Sequence, residues 1–199
     1  MEFVIRISKI IIGVAVAVLG LGIAFKDTIQ THMYAYMHSS MHKSHIANGM
    51  GHNINNMPGL RGANASQAES DELAVMFENF DTITREVTNL PNGIRTVTRS
   101  SDEDVMAVLI SHIVGMVDRV ERGDDPKIFI QSPTLDILFA NGADMHSQID
   151  VADEGIVVVR TSTDPEVVAA LHMHAAEVSD MVDHGMQAVH EAMAQRAGN

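Results

Sequence analysis

The segment HMYAYMHSSMHKSHIANGMGH, His32 to His52, holds five histidines and four methionines in 21 residues. Imidazole is a borderline ligand suited to Cu(II), zinc and nickel, and thioether sulfur is a soft ligand suited to Cu(I). The chain has 14 methionines and no cysteine, which excludes thiolate catalysis, cysteine-based zinc sites, disulfides and covalent c-type haem attachment. A mixed Met/His set without thiols is a ligand chemistry for copper in both redox states at an oxidising exterior. If the segment is helical, Met33, Met37 and Met41 fall within about 80° of arc, with His38, His42 and His45 in the adjacent arc. His38/His42 and Met41/His45 are i,i+4 neighbours and His42/His45 are i,i+3, so these side chains can converge. Those six residues are the expected metal ligands, and copper the expected metal. The competing reading makes the methionines flexible apolar filler against a neighbouring helix and the histidines interfacial polar groups. Asn48-Gly49 would end such a helix, leaving Met50, His52 and Met57 beyond it.

Two further histidines lie on apolar helical faces. Val105, Leu109, Met116 and Val120 fall within about 60° of one another, and His112 sits about 20° beyond Val105. Val167, Leu171, Val178 and Val182 trace the same arc around His174. If the two helices met, His112 and His174 could ligate a b-type haem iron or share a metal ion. The plainer alternative is a pair of core histidines hydrogen-bonded to a carbonyl or carboxylate. Near the C-terminus His184, Met186, His190 and Met193 read as a solvated helix with scattered methionines. Glu177, Asp180 and Asp183 read as the wet face of the His174 helix.

These residues need elements to hold them. Ile10–Phe25 is a run of 16 uncharged residues preceded by Arg6 and Lys9. Counted from Phe3, it reaches about 30 Å as a tilted helix, and basic residues on its N-terminal side predict an N-in anchor. A cleaved signal peptide ending near Gly22-Ile23-Ala24 is the alternative. Both export the rest of the chain, and the anchor reading places a single-pass protein in a bacterial inner membrane with its C-terminal domain in the periplasm.

Sliding the sequence by 62 residues aligns Phe77–Gly123 with Phe139–Gly185 without a gap, giving 14 identities in 47 positions. Among them are Gly93/Gly155, Ser100/Ser162, Asp102/Asp164, His112/His174 and Gly123/Gly185. Each copy reads as a short helix (71–84, then 135–145), two β-branched runs around Asn92-Gly93 or Glu154-Gly155, and a longer helix. Gly is a hairpin signal because it supplies positive φ. Ser101-x-x-Asp104 and Thr163-x-x-Glu166 are candidate capping boxes, and the second long helix either runs past Gly185 or breaks there. A lone hairpin is unstable, whereas four strands with helices on one face bury a core. The expected fold is therefore α+β: tandem duplicated α-β-β-α repeats forming a pseudo-twofold antiparallel sheet covered by helices, after an N-terminal transmembrane helix. Residues 1–25 would be the anchor, 26–52 a Met/His-rich juxtamembrane helix, 53–70 a flexible Asn/Gly/Ser-rich linker and 71–199 the duplicated domain.

The repeat text TNLPNGIRTVTRSSDEDVMAVLISHIVGMVDR and ADEGIVVVRTSTDPEVVAALHMHAAEVSDMVDHGM resembles a family of uncharacterised exported bacterial proteins. Its shared pattern is a hairpin Gly, then Thr-Ser-Asp-Asp-Pro, then a helix with a central His. The resemblance spans roughly Phe77–Met186 and implies export and duplication. The family's additional histidine in each short helix is missing here, where Phe80 and Gly142 stand.

A net charge of −13 disfavours nucleic acid or anionic lipid as the main partner. No G-x-S-x-G elbow, P-loop, H-E-x-x-H or dinucleotide fingerprint is present, so no enzyme activity is assigned. The expected function is a membrane-anchored, periplasm-facing module that binds or transfers copper. The alternatives are a b-type haem electron-transfer domain and a non-catalytic adaptor subunit. A membrane-bound redox or metal-transport complex, or a second copy in a homodimer, are the partners these readings imply.

Overall fold

The computed structural model describes residues 57–198. The expected anchor, the Met/His-rich segment and residues 53–56 lie outside the described residues. Among the described residues no helix is long and apolar enough to cross a membrane.

The four β-branched runs form strands β1 (Ile83–Leu90), β2 (Gly93–Ser100), β3 (Met145–Ala152) and β4 (Gly155–Ser162). They make one antiparallel sheet in the order β1-β2-β4-β3. The helices are α1 (Gln67–Glu78), α2 (Glu103–Glu121), α3 (Pro133–Ala140), α4 (Pro165–His184) and α5 (Met186–Ala197). The class is α+β.

Residues 62 apart hold matching places. Ile83 pairs with Ser100 in the first hairpin and Met145 with Ser162 in the second. In the central pair Thr96 lies opposite Val158, its own counterpart in the alignment. Each hairpin closes through two residues, with Leu90 paired to Gly93 and Ala152 to Gly155. The glycines are thus the first strand residues rather than turn centres. A Cβ on Gly93 would lie 1.9 Å from the Arg160 carbonyl oxygen, and one on Gly155 would lie 2.6 Å from that of Thr98. They are glycine because the central strands approach too closely for a side chain.

Helix boundaries differ from expectation for local reasons. The short helices stop early because Asn79 and Asn141 cap them, each donating Nδ2–H to the carbonyl four residues back, Val75 or Ile137, at 2.8 Å. A 3₁₀ turn (Phe80–Thr82, Gly142–Asp144) then leads into the strand. The long helices are capped by aspartate, not by Ser101 or Thr163: Asp102 Oδ1 accepts from Asp104 and Val105 N–H, and Asp164 Oδ1 from Glu166 N–H. Ser100 and Ser162 hydroxyls accept the N–H of each capping aspartate at 3.1 Å, which holds both caps in register. A capping box does occur, at Ser66/Glu69. The chain breaks between α4 and α5 at Gly185, whose φ of 59° is left-handed.

The core lies between the sheet and the long helices. Ile94 packs with Val167, Leu171 and Ala175 of α4, with Leu138 and Phe139 of α3, and with Val120 of α2. Val117 of α2 packs on Ile156 and Val158. The other sheet face is exposed along its edges, at Thr84, Glu86, Thr88, His146, Gln148 and Asp150.

The linker expectation needs correction for 57–70. Leu60 is fully buried, Gly62 bridges to Ile128, and α1 already starts at Gln67. Arg119 binds both oxygens of Glu69, at 2.5 and 3.1 Å, and donates to the Asn64 carbonyl at 3.0 Å. Polar composition looks like a tether, but a buried leucine, the Arg119 fork and backbone hydrogen bonds between residues 59–64 and 126–130 fasten it.

Candidate functional site

The six ligands expected in the juxtamembrane segment, Met33, Met37, His38, Met41, His42 and His45, lie outside the described residues. His112 and His174 are described, and both sit half-buried on the long helices.

The buried residues of α2 include Ser111 and Gly115 as well as Val105, Leu109 and Val120. Its covered surface is therefore broader than one apolar arc, because α2 packs on α1 as well as on the sheet. His112 faces α1: its Nδ1 is 3.8 Å from Glu72 Oε2, and Ser111 Oγ donates to Glu72 Oε1 at 2.5 Å.

His174 repeats the theme with different parts. Its Nδ1 is 3.8 Å from Glu177 Oε2, one turn along the same helix. Ser132 and Thr134, at the start of α3, donate to Glu177 Oε1 at 2.6 and 3.0 Å. Glu177 is thus a partner of His174 and not part of a wet face. In both places the Nδ1–carboxylate gap is too long for a hydrogen bond. Both Nδ1 atoms, and Glu177 Oε2, are buried without a hydrogen-bond partner.

Two buried arginines bear electrostatically on the second site. Arg85 (β1) pairs across the hairpin with Thr98, and Arg160 (β4) with Ser147. These two rungs correspond under the 62-residue shift, with arginine on the edge strand in one and on the inner strand in the other. Arg85 Nη1 donates to Thr98 Oγ1 at 2.9 Å, and Arg160 Nη2 lies 3.5 Å from Met145 Sδ. Both Nε atoms are buried without a partner. Burial pushes each guanidinium down to about 10, with Glu121 opposing the effect at Arg160. Both remain charged at neutral pH.

The electrostatics follow. Burial holds the His174 imidazole below its ordinary value, Arg85 and Arg160 add to the effect, and Glu177 opposes it. Burial alone would raise Glu177, but facing His174 and accepting from Ser132 and Thr134 keep its carboxyl below the usual range. At neutral pH the pair is a neutral imidazole beside an ionised carboxylate. A cation at His174 would meet two guanidinium charges. Among the described residues no three His, Asp or Glu side chains come together as a metal-binding group.

The other histidines have distinct roles. His172 Nε2 donates to the carbonyls of Leu90 and Gly93, at 3.1 and 2.8 Å, pinning the first hairpin turn to α4. His184 Nδ1 donates to Asp180 Oδ1 at 2.9 Å. A recess of about 190 Å³ on the sheet is lined by Thr84, Arg85, Glu86, Val97, Arg99 and Glu154. Its lining carries carboxylates and guanidinium groups together.

Glu72, Arg85 and Arg160 escape a reading of the sequence because each meets its partners from another element. The i,i+3 spacing of His174 and Glu177 was the one visible signal. Comparison of the chain with family models, with curated proteins and with solved structures finds no match to any of them.

Proposed function

We propose that this chain is a membrane-anchored, outward-facing metal-binding module that takes copper on its His32–His52 segment. The observation that carries the reading is the density of ligands there, five imidazoles and four thioethers in 21 residues, in a chain without a thiol. The ligands are Met33, Met37, His38, Met41, His42 and His45. The folded body is a tandem duplication that carries the segment on the periplasmic side of the membrane. Equal hairpin registers and paired aspartate caps 62 residues apart support the duplication. Arg85 and Arg160, which act on His174, make that histidine a poor site for a cation, which favours the segment as the primary copper site. His112 and His174 serve the body as buried polar pairs with Glu72 and Glu177.

The test is copper stoichiometry of the full-length protein in detergent against a variant with Met33, Met37 and Met41 changed to Leu and His38, His42 and His45 changed to Gln. Loss of at least one equivalent of copper, with the circular dichroism spectrum kept, is expected. An unchanged stoichiometry overturns the assignment.

A further inference from the structure

Helix α5 turns Ala188 and Val189 inward, with Ala192 half-buried beside them. At 100° per residue, Met193, Met186 and His190 fall within about 60° of arc next to that buried face. Their spacing is i, i+4, i+7, so each is a surface neighbour of the next. His190 is exposed, Met193 is 43% exposed and Met186 is half-buried. Neither nitrogen of His190 has a hydrogen-bond or ion-pair partner among the described residues. Hard ligands sit elsewhere on the helix: Glu191 lies about 100° from His190 and accepts from Gln187 Nε2 at 2.8 Å. The arc thus offers two thioethers and one imidazole, with no carboxylate.

We propose that Met186, His190 and Met193 form a surface copper(I) site on α5. Thioether and imidazole without oxygen ligands select Cu(I) over calcium, magnesium and manganese, which prefer carboxylates. Methionine's unbranched, flexible side chain can swing its sulfur toward the His190 imidazole from either side. The protein's net charge of −13 raises the local concentration of any cation. The site shares the copper chemistry proposed for the juxtamembrane segment but none of its residues.

The experiment uses the full-length protein, labelled with ¹³C at the methionine methyls and titrated anaerobically with Cu(I) from a chromophoric chelator. The Met186 and Met193 methyl resonances, assigned by single Leu substitutions, are expected to shift by the second equivalent. The triple variant Met186→Leu/His190→Gln/Met193→Leu is expected to bind one equivalent less, and the substitutions keep helix-forming residues at two exposed positions and at half-buried Met186. In the sixfold juxtamembrane variant the α5 methyls should still shift. Methyls that stay fixed while the juxtamembrane methionines respond overturn the α5 site and leave the segment standing. The reverse outcome keeps the α5 site and overturns the segment. If neither set moves, both assignments fail.

Discussion

Thr134 Oγ1 donates to Glu177 Oε1 at 3.0 Å, and Thr134 stands 62 residues after Glu72, the offset that aligns the two hairpins. In the first set of elements the carboxylate beside the histidine therefore comes from the short helix. In the second, the short helix offers hydroxyls, and the long helix supplies the carboxylate that they hold. The arginines at the Arg85–Thr98 and Ser147–Arg160 rungs trade places in the same way. Each of the two histidines thus has a carboxylate beside it, whereas both buried arginines, Arg85 and Arg160, act on His174.

The neutral His174 makes stability depend on pH. Its folded value lies below the ordinary 6.5, so the unfolded chain takes the proton more readily. Its contribution is fully present above about pH 6.5 and is lost as pH falls through that value, until the folded group also protonates. Glu177, Arg85 and Arg160 are the charged groups that act on it, and Ser132 and Thr134 hold Glu177 in place. Urea unfolding at pH 7.5, 6.5 and 5.5 should show stability falling toward acid, by at most about 1.4 kcal/mol per pH unit from this one proton. His174→Gln should flatten that part of the slope; an identical slope would sink the assignment.

Arg85 and Thr98 should respond in opposite directions. Arg85→Met removes a buried guanidinium whose Nε has no partner, and is expected to be neutral or stabilising. Thr98→Val removes the guanidinium's hydrogen-bond acceptor and should cost about 1–3 kcal/mol. Arg85→Met should also raise the His174 titration midpoint, read from its imidazole NMR signals. A large loss of stability in Arg85→Met would count against this account.

Removing His172 should loosen one turn. His172→Ala deletes the donor shared by the Leu90 and Gly93 carbonyls, and each orphaned partly buried carbonyl is worth about 1 kcal/mol. Amide hydrogen exchange should quicken at residues 90–94 and stay unchanged in the second hairpin. Equal acceleration in both hairpins would show a global effect instead.

Glycine replacements should separate close approach from helix breaking. Gly93→Ala drives a Cβ to 1.9 Å from the Arg160 carbonyl and should prevent β2 and β4 from pairing. Gly185→Ala places a Cβ 2.9 Å from the Phe80 ring at a φ of +59° and should cost about 1–3 kcal/mol without changing the fold. Thermal unfolding and circular dichroism distinguish the two. A folded, normally stable Gly93→Ala would refute the close-approach explanation.

The sequence by itself determined the elements and their matching. β-branched runs around the hairpin glycines and a self-alignment at 62 residues are local or additive signals, so the strands, long helices and α+β class could be read from them. The break at Gly185 was visible as one of two options, and the left-handed φ selects it. Exact caps were missed by one residue, because Ser100 and Ser162 orient Asp102 and Asp164 through contacts that a spacing rule does not contain. Only the tertiary structure decided what His112 and His174 face. Helical bearing puts a residue on an apolar side, but whether a carboxylate, an arginine or a second histidine meets it depends on how α1, α3 and β1 are laid against that side. The same holds for Leu60 and Arg119, which fasten a stretch whose composition looks like linker. Burial and charge are sums over neighbours that lie far apart in the chain, so the potential around His174 existed only once the sheet and α4 had come together.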